Sequence, residues 1–460
     1  MRMRLGWVLA ALVLTAVMAT PRAVAANLCV NPSGTNGCSA TIQGAVALAK
    51  AGDVIYVAPG VYREAVTIGV PLALIGSGQA RTTIDASGLG HGVFVDGYDH
   101  PGLAGVTISG FTIEHALYEG VLVVSAADVI VRDNRILGND SVPGAVFTPG
   151  AHTGCPGQPG SGIYETDETG DCGGAVHLVG AVGAIVSGNL ITGNADGILV
   201  SDETGESRAN LLANNVVMDN PLECGIVLAS HPPSGKTAPP FGPHFGVDGN
   251  TVIGNLSQNN GVQVGGSGVG LFSDGAGPGK VSGNVVVDNR LIHNGLGGVA
   301  LHTHVGPAFG LPADDMSGNQ IIGNYIAGNL ADQADTATPG PVGININSGG
   351  GGSPVMGTVI ARNTIRDEAV DVAVNTPALV GVHLNNLLGG QTGVADVCAL
   401  DGATMCAGAI AAAQNYWGCP AGPGASGCST ASGSDVTYAP WLLRPATPPG
   451  RPDQDQSGRR

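Results

Sequence analysis

A coiled stack of short β-strands is the fold class that this sequence predicts. Three observations carry it: a recurring asparagine phrase, brief β-branched runs beside the asparagines, and abundant glycine in a chain with few charges. The phrase is Asn, an apolar residue two places on, and Asn again at the sixth place. It stands at Asn134/Asn139, Asn189/Asn194, Asn215/Asn220, Asn250/Asn255, Asn284/Asn289 and Asn319/Asn324, and three copies extend to Asn260, Asn294 and Asn329. Runs such as Val285-Val286-Val287, and Gly-apolar-x-apolar stretches such as Gly197-Ile198-Leu199-Val200, read as strands with one buried face. Asn tolerates left-handed backbone and bonds its own local backbone, so each copy marks a bend, and stacked amides can form ladders. The 76 glycines among only 12% charged residues then serve tight turns in a folded coil rather than disorder.

Taking the first Asn of each phrase as equivalent, the chain advances from Asn189 through Asn215, Asn250, Asn284 and Asn319 to Asn363. A turn of three short strands needs only about 20 to 30 residues, so the longer intervals hold insertions that project as loops. Such loops on a rigid scaffold are where binding and chemistry concentrate.

The first residues have another purpose. Met1-Arg2-Met3-Arg4, the apolar stretch Leu5 to Met18, and Ala23-Val24-Ala25 before Ala26 form a secretory signal peptide, residues 1–25, cleaved after Ala25. No other stretch is long and apolar enough to span a membrane, so no membrane insertion is expected. Thr41 to Lys50 follows with apolar residues in helical spacing, a short helix to cover the open first turn of the coil.

Several stretches together are similar to a known family. Thr41-Ile42-Gln43, Gly52-Asp53, Pro59-Gly60-Val61-Tyr62, Glu64 and Ile75-Gly76 resemble the opening segment of the pectin-lyase-like superfamily. The Asn phrases resemble the parallel β-helix repeats of its exported bacterial members, and Asn415-Tyr416-Trp417-Gly418 with Gly422-Pro423 resembles a closing segment. The resemblance implies an all-β, right-handed single-stranded parallel β-helix over residues 26–443 with a short N-terminal capping helix. One fold hosts many activities, so it does not assign one. The Pro-, Gly- and charge-rich residues 444–460 read as a disordered tail. Tyr416, Trp417 and Trp441 read as a cap over the last turn.

Charge and cysteine usage narrow the partners. The formal net charge is −17, and losing Arg2, Arg4 and Arg22 with the signal peptide lowers it to −20. That surface repels nucleic acid and anionic lipid. Cys29/Cys38, Cys155/Cys172, Cys398/Cys406 and Cys419/Cys428 are sequence-local couples able to form disulfides in an exported protein, with connectivity open, and Cys224 stands alone as a buried apolar residue. The expected location is secreted, extracellular or in the cell envelope.

Known catalytic signatures of the superfamily are incomplete. Gly90-His91-Gly92 echoes a polygalacturonase element without its paired aspartates, and Asp99-His100-Pro101 reads as a surface turn. A different signal comes from aligning Gly197, Gly225, Gly268 and Gly298, with Gly266 and Gly270 as alternative registers for the third strand. Offsets +1 and +3 are then apolar, and offset +6 reads Glu203, His231, Asp274 and His304.

Adjacent strands lie about 4.8 Å apart, so this column would bring carboxylates and imidazoles together, with His302 beside His304 and Lys236 and Lys280 in the excursions that follow. His231, Asp274 and His304 are the candidate catalytic residues for general acid and base work on a sugar. Glu203, Lys236, Lys280 and His302 are the candidate substrate contacts. A solvated surface column is the competing reading, and no spacing matches a strong metal motif. Asp167 to Asp171 and Asp202 to Glu206 are acidic turns of the kind that bind Ca²⁺, and equally of the kind that simply face water.

The expected function is therefore binding of polysaccharide or a cell-surface glycan along a lateral face. A polysaccharide lyase or glycoside hydrolase is the alternative. Metal delivery is the weaker third, lacking Met- or Cys-rich ligand sets.

Overall fold

The computed structural model describes residues 25–139, 174–230, 245–263, 265–273, 278–303, 306–307, 310, 312–331, 340–348, 352–397 and 408–447. His231, Asp274, His304 and Lys236, the couples Cys155/Cys172 and Cys398/Cys406, the acidic turn Asp167 to Asp171, the signal peptide up to Val24 and the chain beyond Thr447 lie outside these residues.

The chain winds repeatedly through three parallel sheets, and each turn contributes one strand to each. The first complete turn runs through Asp53–Val57, Gly60–Tyr62 and Val66–Ile68 before Leu72–Gly76 starts the next. Among the described residues the three sheets hold 14, 11 and 12 strands in the order the chain visits them, and a fourth of three short strands forms beside them. We call them sheets 1, 2, 3 and 4. This is a right-handed parallel β-helix, almost wholly β, with a single short helix at its start.

Alternation explains the core. Sheet 1 turns one residue per strand inward, through Val131, Val186, Leu212, Val252, Val286 and Ile321. Sheet 2 does the same through Ile113, Ile136, Ile191, Val217, Leu291 and Ile326, and all are fully buried. Sheet 3 turns two inward per strand, as Ile198/Val200, Ile226/Leu228, Val269/Leu271 and Val299/Leu301. The glycine register read from the sequence is thus the observed one, with Gly268 in the third position.

At Gly197 and Gly225 glycine is required because successive turns nearly touch. A Cβ on Gly197 would lie 1.9 Å from the Gly225 carbonyl oxygen, and one on Gly225 would lie 2.0 Å from Ser257 Oγ.

The asparagines hold the corners, but not as the sequence suggested. Asn134, Asn189, Asn215, Asn255, Asn289, Asn324, Asn363, Asn385 and Asn415 form one ladder, so the first Asn of the early phrases stacks on the second Asn of the later ones. A second ladder joins Asn139, Asn194, Asn220, Asn260, Asn294 and Asn329, and a third joins Asn210, Asn250, Asn284 and Asn319. Treating every first Asn as equivalent shifts half the chain by one corner. The phrase is shared by two neighbouring pairs of corners, so spacing alone cannot separate them.

Nor does Asn itself adopt the bend. The residue before each ladder position is left-handed, as at Asp288 (φ 54°), His293 (φ 55°) and Gly254 (φ 67°). The Asn side chain instead turns inward, where it meets the turns on both sides. Asn289 Oδ1 accepts from Asn255 N and Nδ2, while its own Nδ2 donates to Asn324 Oδ1 and the Val252 carbonyl. Bonds of this kind match the inward-facing amides without water, so the polar ladder is tolerated.

The helix is shorter than Thr41 to Lys50, spanning Ile42–Val46. Thr41 caps it through Gly44 N, and the Glu64 carboxylate accepts from Ile42 N and Gln43 N, each at 2.8 Å. Gln43 Oε1 in turn accepts from Thr67 N at 2.7 Å, so the conspicuous opening residues bind the cap to the first turn. The Cys29–Cys38 disulfide lies at this end and Cys419–Cys428 at the other. Trp417 is fully buried over the last turn, and its ring leads through Tyr438 to Trp441.

Candidate functional site

Sheet 3 differs from its companions on the outer face. Most outward residues of sheets 1 and 2 are half-buried or exposed, as in Arg290–Ile292, whereas strands Val176–Val179, Ile198–Ser201 and Ile226–Ser230 are buried at every position. Early in the coil this outer face is apolar, with Leu122, Val124 and Val179 packed beside Phe94, and Leu199, Val227 and Ala229 beside Phe272.

Between those two patches runs a chain of polar side chains. His91 Nδ1 pairs with Glu119 Oε2. Glu119 Oε1 lies 3.5 Å from His177 Nδ1, His177 Nε2 lies 2.8 Å from Ser201 Oγ, and Ser201 Oγ donates to Glu203 Oε2 at 2.5 Å. None of the five is more than 6% exposed. The rings of Phe94 and Tyr118 flank His91, with centroids 5.8 and 5.6 Å away.

Hydrogen accounting sets the roles. A hydroxyl has one hydrogen, and Ser201 gives it to Glu203, so His177 Nε2 donates to Ser201 Oγ. Nδ1, on the other side of the ring, faces Glu119 Oε1. Two carboxylates and two imidazoles can thus neutralise one another in a region closed to water, the condition under which buried charge is tolerated. Ser201 is not arranged as a nucleophile, because a nucleophilic serine directs its hydrogen to the imidazole. The assembly is suited to holding and moving a proton.

Of the sequence-predicted residues, Glu203 belongs to this chain. His302, on Val299–Thr303, packs its ring against Phe272 with centroids 4.2 Å apart, one turn along the same outer column. Lys280 is elsewhere. Its Nζ meets Asp248 Oδ2 at 2.5 Å beside sheet 4, and that contact raises its pKa. The neighbouring acidic turn is occupied by protein donors, since Asp202 Oδ2 accepts from Ser230 Oγ, Phe245 N and Gly246 N. Among the described residues, no group of three or more His, Cys, Asp or Glu is arranged to hold a metal ion.

Glu119, His177 and Ser201 escaped the sequence reading. Counting from the register glycine, His177 is at offset +2 and Ser201 at +4, outward positions between the apolar +1 and +3 and the inspected +6. The strand carrying His177 has Ala175 where its neighbours have Gly120 and Gly197, which hides it from a glycine alignment. Glu119 and His91 each immediately precede the register glycines Gly120 and Gly92.

A family model for the right handed beta helix region matches residues 78–237. Comparison with curated proteins gives no match. Among solved structures, the catalytic unit of a GH87 α-1,3-glucanase from Streptomyces thermodiastaticus is similar at 18% identity and TM-score 0.50, with 87% of this chain and 65% of that one covered. The pre-mature gene product 12 of bacteriophage phi29 is similar at 11% identity and TM-score 0.58, covering 84% of this chain and 47% of that one. The A-module of a mannuronan C-5 epimerase from Azotobacter vinelandii aligns at 16% identity and TM-score 0.47, covering 87% and 94%. The chain thus spans less than two thirds of the glucanase unit and under half of the phage protein. At such identities the likeness is one of fold.

Proposed function

We propose that this chain, a right-handed parallel β-helix repeat protein of the pectin-lyase-like superfamily, is an exported protein that binds an extended carbohydrate along its lateral face. The observation that carries the reading is the outer column of sheet 3, where the half-buried rings of Phe272 and His302 stack on neighbouring strands. Strand spacing of about 4.8 Å sets these flat rings along one axis. A polymer of sugars presents its own ring faces and hydroxyls in the same repeating way, and stacking with hydrogen bonding is how such faces are held. The shared fold with an α-1,3-glucanase supports a carbohydrate partner. Two disulfides support an oxidising compartment. Among the described residues no helix is long and apolar enough to cross a membrane.

The test is affinity electrophoresis of the mature protein against neutral and uronic-acid polysaccharides. Retardation by at least one polymer is expected, and Phe272→Ala with His302→Ala should weaken it. Equal retardation of the double variant would refute the site.

The polar chain from His91 to Glu203 favours a second reading, catalysis on the bound polymer. A lyase needs a base for the proton alpha to a uronate carboxylate and an acid for the leaving oxygen, and His177, between the Glu119 carboxylate and Ser201 Oγ beneath the outer face, belongs to a set with groups of both kinds. Unsaturated-product absorbance from uronic-acid polymers, lost in His177→Ala, would support it. Binding without product leaves the first reading alone.

A further inference from the structure

An open surface cavity of about 470 Å³ lies near the C-terminal end of the coil, lined by Leu384 and Leu442 and by the exposed Arg362, Leu443, Arg444 and Pro445 among others. It forms where the chain from Tyr438 onward folds back along a corner of the last turns. Gln414 N donates to the Pro440 carbonyl, Leu442 N donates to the Asn415 carbonyl, and Asn386 holds Ala446 by both its amide atoms at 2.7 and 3.0 Å. Residues 444–447, assigned to the tail by sequence, are thus pinned to the coil and complete a wall.

Arg362 and Leu384 occupy the corner column that precedes the first Asn ladder. Earlier in the coil this left-handed position is filled by Asp133, Gly188, Asn214, Gly254, Asp288 and Gly323, residues that adopt it cheaply, and after Leu384 it is filled by Gln414 at φ 61°. A bulky Arg at φ 59° followed one turn on by a bulky Leu at φ 59° adds strain that the fold does not need, and such strain gathers at binding sites. Those two side chains are the ones the cavity receives.

Charge gives the second argument. Arg63, Arg132, Arg208, Lys280 and Arg366 each meet a carboxylate. Arg362 and Arg444, like Lys50, Arg81, Arg135 and Arg290, form no ion pair among the described residues, although the chain carries a net charge of −17. Two uncommitted guanidiniums thus share one cavity whose remaining walls are leucine and proline.

We propose that this cavity is a binding site for a small amphipathic anion, with the carboxylate or sulfate held by Arg362 and Arg444 and the apolar body lying against Leu384, Leu442 and Leu443. Guanidinium forks suit planar and tetrahedral oxyanions, and the volume is that of an ordinary small-ligand pocket. The site is separate from the outer face of sheet 3 and does not rest on carbohydrate binding.

Isothermal titration of the mature protein with sodium octanoate and with sodium octyl sulfate tests it. Saturable one-site binding of at least one of them is expected, the better of the two identifying the oxyanion. Octylammonium should give no saturable heat, and acetate should bind at least about tenfold more weakly than octanoate. Arg362→Gln with Arg444→Gln should weaken binding at least about tenfold, since each charged hydrogen bond lost is worth more than one such factor, with the melting temperature unchanged. Leu443→Ser, at a residue 67% exposed, should weaken octanoate and leave the fold intact. Octylammonium binding as well as octanoate, wild-type affinity in the double arginine variant, or no heat from either anion at millimolar concentration would each overturn the proposal.

Discussion

Asn329 gives both its backbone N–H and its side-chain Nδ2 to a single oxygen, Oε1 of Glu368, at 3.1 and 2.9 Å. Every earlier step of this ladder presents an amide oxygen to the turn before it, and Glu368 presents a carboxyl oxygen in the same place. The ladder therefore ends on a titratable group that is 3% exposed. Nearby Asp371 is buried as well and accepts from Gly389 N.

The consequence is a stability that falls as pH rises. Burial, outweighing the bonds from Asn329, pushes the Glu368 carboxyl up from 4.5 to about 7, and burial raises Asp371 in the same direction. A raised folded-state pKa means that the stabilising contribution is complete below the unfolded value and is lost as pH climbs through about 7. A shift of this size corresponds to roughly 3 kcal/mol. Denaturant unfolding at pH 5 and pH 8 should show the protein more stable at pH 5. Glu368→Gln, which keeps an acceptor for Asn329, should flatten most of that difference, and an unchanged slope in this variant would place its origin elsewhere.

Interior ladder positions should be less forgiving than the end. Asn289→Ala removes the acceptor of Asn255 N and Nδ2 and the donor to Asn324 Oδ1 and Val252 O, all out of reach of water. Leaving buried polar groups unmatched costs about 1–3 kcal/mol each, so a loss of at least about 3 kcal/mol is expected in urea unfolding. Asn289→Asp keeps the acceptor but sets a carboxylate against the Asn324 and Val252 oxygens, and should cost no less. A loss under about 0.5 kcal/mol for either would show that the ladder is incidental.

How much of this was legible in sequence depends on which groups repeat. Alternating apolar residues, the glycine register and the capping residues Thr41, Gln43 and Glu64 act locally or recur each turn, so pattern alone exposed the solenoid and the correct sheet 3 alignment. The ladder assignment failed at Asn250, because three corners use one residue type at equal spacing and only the closed coil distinguishes Asn210 from Asn215 as its partner. The His177 network was harder still. It joins residues from four turns, with Glu119 58 positions before His177, and no repeat links them. Glu203 was reached only because it shares the register of the strands that follow it.

The glycine register itself makes a paired prediction. At Gly197 a methyl would sit 1.9 Å from the Gly225 carbonyl oxygen, a rigid backbone atom of the next turn, so Gly197→Ala must push turns apart. Overpacking and lost ladder bonds together place it among the severe substitutions, about 3 kcal/mol or more. Gly205, where an added Cβ would come no closer than 3.9 Å to the Gly180 Cα and the backbone is ordinary, should accept alanine within about 0.5 kcal/mol. Thermal unfolding of the two variants side by side separates close approach from a general intolerance of alanine for glycine.

At the other end of the coil, Asp53 Oδ1 accepts from Ala26 N at 2.7 Å and Oδ2 accepts from Lys50 N at 2.8 Å, which together hold its carboxyl below the usual range. Cleavage after Ala25, the site the sequence predicts, turns the Ala26 nitrogen into an ammonium, and an amide-to-carboxylate hydrogen bond at the first strand becomes an ion pair. A depressed folded-state pKa stabilises above the unfolded value and is lost as pH falls through the folded one, so the contact should hold at neutral pH and fail in acid. The mature chain beginning at Ala26 should then melt higher than a version whose N-terminus is acetylated. Asp53→Asn should remove that gap, and below about pH 3 it should vanish in the parent as well. Equal melting of the free and acetylated chains at neutral pH would mean that the new terminus does not engage Asp53.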